Sequence, residues 1–227
     1  MREMKRTGEE KNLKIVNICG IANSGKTTLF NGLTGKNERV GNWYGVTTAV
    51  ASGYFFNKNG EKIIVRDLPG SYFDGWTLEG EAAAREVEKG GTAVIIAEAA
   101  ELEKALALYK KVRAFTSKTA LVINMLGELK KRGGSLNLPL LKQELGCEVV
   151  VAEVIEKNGV NSVKRLIEAL FNKNCAAKDA DFLPEALADK VLKAPQARLN
   201  KIDEFLFCKK NFLWAFILFC AAALYLA

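Results

Sequence analysis

The sequence contains no histidine. That absence removes histidine-ligated metal centres and histidine general-base catalysis from consideration. Cysteine is sparse as well: Cys19, Cys147, Cys175, Cys208 and Cys220 are widely spaced and form no C-x-x-C pair. Such spacing argues against a thiol zinc site or redox motif and reads as reduced, small apolar positions in a cytosolic or membrane setting. No secretory leader is expected, because "MREMKRTGEEKN" carries charge with no apolar stretch behind it. No aromatic-basic strand face or zinc-finger spacing accompanies the net charge of +7, so nucleic acid is not expected as a partner. Phosphate and membrane contacts account for a positive balance of this size.

What the chain does have is enough apolar sequence for one sizeable core and a small appendage. Its 227 residues are 49% apolar and 26% charged, which places them with ordinary globular proteins. Strand-like and helix-like segments alternate from Leu13 to about Phe171. "LKIVNIC", "AVASGYFF", "KIIVRDL", "TAVIIAE", "TALVIN" and "CEVVVAE" read as strands, with "NKNGE" as a hairpin turn between the second and third. "LEGEAAAREVEK", "ELEKALALYKKVRAF", "LPLLKQEL" and "VNSVKRLIEALF" read as helices. The expected fold is α/β, a doubly wound and mostly parallel sheet of about six strands.

The densest chemical signal is "GIANSGKTTLFNGLTG", Gly20 to Gly35, in which the spacing G-x-x-x-x-G-K-T falls where a strand passes into a helix. There the backbone N–H groups from about Ala22 to Thr27, within the run Gly20, Ala22, Asn23, Ser24, Gly25, Lys26, Thr27 and Thr28, converge on phosphates, aided by the helix N-terminus. Lys26 supplies a point charge between the β- and γ-phosphates, and the Thr27 hydroxyl a ligand for Mg²⁺. A second phosphate element is "RDLPG", Arg66 to Gly70. Asp67 is placed to hold Mg²⁺ through water, and the Gly70 amide to meet a γ-phosphate. Between the two lies "RVGNWYGVTTAV", a glycine- and aromatic-containing loop in which Thr47 and Thr48 are both candidates to reach the metal.

Together, "GIANSGKTTLFNGLTG", "RVGNWYGVTTA" and "DLPGSY" resemble the amino-terminal G domain of the ferrous-iron transport protein B family, FeoB. The resemblance runs over roughly residues 13 to 227, and "RVGNWYGVT" is its most specific part. It implies a P-loop NTPase of the Ras-like G-domain type, binding GTP and GDP with Mg²⁺ and hydrolysing slowly. The catalytic set it implies is Lys26, Thr47 and Gly70, with Thr27, Thr47 and Asp67 as Mg²⁺ ligands. It also places a K⁺ site at Asn23 and the loop from Gly41 to Trp43, where a monovalent cation would take the part an arginine finger plays elsewhere. Ser71 follows Gly70 where many Ras-like enzymes carry glutamine, so no side-chain base is expected to orient water.

Two positions depart from the family. "INMLGE" aligns with its guanine-specifying motif and keeps Asn124, but Gly127 stands at the aspartate position. Glu153 and Val154 replace the Ser-Ala pair of the second base-facing motif. Glycine cannot accept hydrogen bonds from the guanine N1 and N2 groups, so guanine selectivity is expected to be weak and adenine nucleotides to compete. Whether Glu128 or Glu153 takes over stays open at the level of sequence.

The expected organisation is a charged segment over 1–12, a G domain over 13–172, a short helical linker or regulatory segment over 173–208, and the start of a membrane helix over 209–227. Phe212 to Ala227 is almost continuously apolar, with Lys209 and Lys210 before it as a cytosolic boundary. By resemblance the protein belongs at the inner membrane with the G domain on the cytoplasmic face. Its partners would be a guanine nucleotide, the lipid membrane, and further FeoB-like membrane helices or a second copy of the chain. A nucleotide-sensing scaffold with negligible hydrolysis, and a hydrolase of relaxed base choice including ATP, are the competing expectations.

Overall fold

The computed structural model describes residues 13–35, 39–41, 50–68, 87, 91–172 and 182–193. The chain divides into two units, Met1–Ala194 and Pro195–Ala227, and every described residue falls in the first. The apolar stretch from Phe212, the helix expected around "LEGEAAAREVEK" except Val87, and the loop residues Trp43, Thr47 and Gly70 therefore lie outside the described residues. Among the described residues no helix is long and apolar enough to cross a membrane.

All six strands expected from the sequence form: β1 (Lys14–Gly20), β3 (Val50–Phe56), β4 (Lys62–Asp67), β5 (Thr92–Glu98), β6 (Thr119–Asn124) and β8 (Glu148–Val151). A further strand, β2 (Arg39–Gly41), adds three residues at one edge of the same sheet, whose order is β2-β3-β4-β1-β5-β6-β8. The pairs β4–β1, β1–β5, β5–β6 and β6–β8 are parallel, and only β2–β3 and β3–β4 run antiparallel. β5 and β6 are apolar on both faces, as strands covered on both sides must be. The turn between β3 and β4 is built by Asn57, whose side-chain oxygen accepts from the amides of Asn59 and Glu61, while Gly60 adopts φ 77°.

Helices cover both faces. α1 (Lys26–Thr34) and α5 (Lys157–Asn172) bury Leu29, Phe30, Leu33, Val163, Ile167 and Leu170 against Val16, Ile18, Val94, Ile96 and Val122. The opposite face carries α2 (Leu102–Arg113), α4 (Leu138–Leu145) and α6 (Pro184–Val191), whose apolar stripes meet Cys19, Ala93, Ile95, Leu121 and Ile123. α3 (Leu126–Lys131) is a short helix leaving the end of β6. Beyond it, β7 (Ser135–Leu136) pairs antiparallel with β9 (Leu192–Lys193), so part of the expected linker folds back onto the sheet-bearing unit.

Parallel β1, β4, β5, β6 and β8 end on one side, where Gly20, Asp67, Glu98, Asn124 and the residues after Val151 emerge. β1 is flanked by β4 and β5, the point where chain order reverses, so a crevice opens beyond its carboxyl end. The phosphate-loop sequence leaves β1 at this position.

Candidate functional site

From Gly20 the chain turns tightly into α1. Gly25 precedes the helix at φ 99°, a conformation glycine adopts freely, and Asn23 sits at φ 62°, which asparagine tolerates better than most residues. The Ser24 hydroxyl donates to the Ile21 carbonyl at 2.9 Å and pins the turn. There is no room for side chains: a Cβ on Gly20 would stand 2.7 Å from the Ile96 carbonyl oxygen, and one on Gly25 2.6 Å from the Asn124 amide nitrogen. Ala22, Asn23, Thr27 and Thr28 are exposed, while Ser24 is buried. The turn thus leads into the N-terminus of α1 with glycine at its closest approaches, an arrangement suited to an anion.

Lys26 bends back over this turn. Its ammonium donates at 2.8 Å to the carbonyls of both Gly20 and Ile21. Burial holds its pKa below the ordinary lysine value, an effect that the negative field of Asp67 and then the Cys19 thiol partly offset. Cys19 is fully buried at the end of β1; burial first, and then Asp67, push its thiol up to about 12, so it stays neutral and serves as a small apolar side chain. Asp67, at the end of β4 beside β1, thus supplies negative potential where the sequence predicts a metal ligand. Thr27 hydroxyl and Asp67 carboxylate are hard oxygen donors, the kind Mg²⁺ takes alongside water and phosphate oxygens. Among the described residues no group of three or more His, Cys, Asp or Glu side chains could hold a metal by itself.

Asn124 joins this turn to the neighbouring loop. Its amide nitrogen donates to the Ser24 carbonyl at 3.0 Å, and its oxygen accepts from the Val154 amide at 3.2 Å. At 2% exposure Asn124 is a buried brace with both ends of its amide engaged. Val154 presses onto the turn as well, its Cγ2 lying 3.1 Å from the Cβ position of Gly25. Glu153, one residue earlier, accepts from the Gly127 amide at 3.0 Å. Both halves of this contact stand out in the sequence, but the contact itself does not, because the partners lie beyond the ends of different strands.

The structure therefore brings Gly20, Ala22, Asn23, Ser24, Gly25, Lys26, Thr27, Thr28, Asp67 and Asn124 to one end of the sheet. Gly41 ends the edge strand β2, and Trp43, Thr47 and Gly70 are among the residues outside the description.

Residues 14–167 match the family model described as Ferrous iron transport protein B. The Fe(2+) transporter FeoB of Leptospira biflexa is 34% identical over 163 residues, which cover 70% of this chain and 23% of that protein. The Fe(2+) transporter FeoB of Salmonella typhimurium is 30% identical over 192 residues, covering 78% and 25%. The chain spans about a quarter of the length of these curated relatives. Among solved structures, the G domain of the T. maritima FeoB iron transporter superposes with a TM-score of 0.63 at 29% identity, covering 70% of this chain and 99% of that one. The cytosolic domain of the same transporter in a GMPPNP form gives 0.67 at 29% identity, covering 87% and 75%, and in a GDP form 0.65 at 31%, covering 72% and 65%. The fold is that of a Ras-like G domain.

Proposed function

The chain belongs to the ferrous iron transport protein B family, and from that premise we propose that it is a Mg²⁺-dependent GTP-binding and GTP-hydrolysing switch serving a ferrous-iron uptake system at the inner membrane, with the G domain on the cytoplasmic side. The observation that carries the reading is the glycine turn before α1, with Lys26 folded over it at 2.8 Å from two of its carbonyls. Solved relatives in GDP and GMPPNP forms support a guanine nucleotide as the ligand.

Chemically, the turn binds and orients. Phosphate oxygens replace the carbonyls as partners of the Lys26 ammonium, while the opening amides of α1 neutralise the chain of charge without reorganising. Thr27 and Asp67 would hold Mg²⁺, which when bound neutralises charge on the phosphate oxygens. Thr47 and the Gly70 amide are assigned to sensing the third phosphate, and loss of that phosphate would release their loops. Asn23, with Gly41 to Trp43, is assigned to K⁺. Without a side-chain base, water is oriented by backbone and ions, and turnover is slow.

Lys26→Ala tests the reading. Titration of a fluorescent guanine nucleotide with Mg²⁺ present should show affinity reduced at least about 100-fold, since a buried cation–phosphate partner is lost. Affinity equal to that of the unaltered chain would reject the phosphate site.

A further inference from the structure

We propose that Glu153 is the carboxylate that reads the base, taking over from the side chain that Gly127 lacks; the inference rests on the reading of this site as a nucleotide site. Gly127 is the second residue of α3, just beyond the carboxyl end of β6, and is exposed. Its amide donates to Glu153 Oε1 at 3.0 Å, and a Cβ on Gly127 would lie 3.4 Å from that same oxygen. The Glu153 carboxylate therefore lies in van der Waals reach of the place where a side chain at 127 would begin. A carboxylate with the longer arm arrives from the loop after β8 where a shorter one would have come from α3.

The group is held ready. The Glu153 carbonyl accepts from the Glu156 amide at 2.9 Å, and the next amide, that of Val154, is tied to Asn124. Gly159, in the first turn of α5, packs so closely beneath this loop that a Cβ there would stand 2.0 Å from the Glu153 carbonyl oxygen. Glu128, next to Gly127, is exposed and pairs with Lys131 at 3.4 Å on α3. Of the two carboxylates, Glu153 is the one built into the loop that Asn124 lashes to the phosphate turn.

The chemistry selects a purine. One Gly127 N–H occupies a single lone pair of a carboxylate that has roughly four acceptor positions, so Glu153 retains capacity for a pair of N–H donors side by side. A base with a ring N–H next to an exocyclic amino group, as in guanine, presents that pair. Adenine turns an acceptor nitrogen toward the same oxygens and is repelled. Such a site discriminates because the wrong base leaves a charged acceptor unpaired.

The experiment measures binding of ribose-labelled guanosine, adenosine and xanthosine diphosphates to the purified chain, with Mg²⁺, alongside Lys26→Ala. The unaltered protein should prefer guanine. Glu153→Gln keeps an oxygen for the Gly127 amide but offers an N–H in place of an acceptor, so guanine should weaken by roughly 100-fold. Xanthine, with a carbonyl at the amino position, should then bind more tightly than guanine. Gly127→Asp combined with Glu153→Ser returns a carboxylate from the other side of the contact and should restore the guanine preference. Equal affinity of the unaltered chain for guanine and adenine would overturn the proposal. So would an unchanged guanine preference in Glu153→Gln with only the melting temperature lowered, which would make Glu153 a cap for α3 and nothing more. Lys26-independent binding of all three, or no binding, would instead remove the nucleotide site itself.

Discussion

Under the proposed function, Lys26 serves affinity while its burial works against stability. Its charged form is disfavoured by burial in the turn, chiefly through desolvation, so its folded-state pKa lies below that of an unfolded lysine, about 10.4. In the alkaline window between the lowered value and about 10.4 the unfolded chain binds the extra proton, and linkage makes the folded state gain stability as pH rises. Nucleotide affinity must move the opposite way there, because the neutral amine has no attraction for phosphate. Denaturant unfolding and diphosphate titration of the unaltered chain and Lys26→Met, compared across that window, should show both trends in the difference between them. Parallel slopes for the two proteins would mean Lys26 titrates like a surface lysine. The position of Lys26 over the turn was legible because its spacing to Gly20, Gly25 and Thr27 is the one phosphate chemistry requires. The contact of Glu153 with Gly127 was not: both positions stand out, but they lie 26 residues apart and a glycine's amide gives no signal of its partner.

Among the elements, the strands and α2, α4 and α5 follow from periodicity, since each hides an apolar stripe or a fully apolar run. The edge strand β2 did not announce itself, being a three-residue run that gains its hydrogen bonds only from β3. Nor did the start of α5, where Gly159 comes up close against the Glu153 carbonyl. Gly159 poses a test of sign here. Replacing an interior helical glycine by alanine ordinarily stabilises by about 1 kcal/mol. At Gly159 the new methyl would meet the Glu153 carbonyl at 2.0 Å, backbone against side chain, so helix or loop must shift. Gly159→Ala is expected to destabilise by about 1–3 kcal/mol in urea unfolding, the range for overpacking a closed contact. A stabilised variant would show that the loop yields freely and that Glu153 is not held by α5.

At the scale of the molecule, residues 182–193 change what counts as the domain. The sequence places its sheet before Phe171 and suggests a helical linker after it, but α6 buries Leu187, Ala188 and Val191 in the same cluster as Ile95, Leu106 and Leu121. The segment is fastened along its length. Lys110 donates to the Phe182 carbonyl at 3.0 Å, Lys190 pairs with Glu144 at 2.6 Å, the Asn137 amide donates to the Val191 carbonyl at 2.8 Å, and β9 zips onto β7. The exposed ion pair adds little, so the apolar contact dominates. β7 closely follows α3, and a Cβ on Gly134 between them would stand 2.6 Å from Leu129 of α3 and 3.1 Å from the Lys193 carbonyl, so the segment braces the helix that carries Gly127. Leu187, 4% exposed, is the side chain to remove. Leu187→Ala should cost about 2–4 kcal/mol, the range for truncating a buried leucine, and lower the single unfolding midpoint of the whole sheet. Amide exchange of residues 126–134 should speed up with it, since their outer support loosens. A loss under about 0.5 kcal/mol, the size of an ordinary surface substitution, would return 182–193 to the status of a linker resting on a domain that is complete without it.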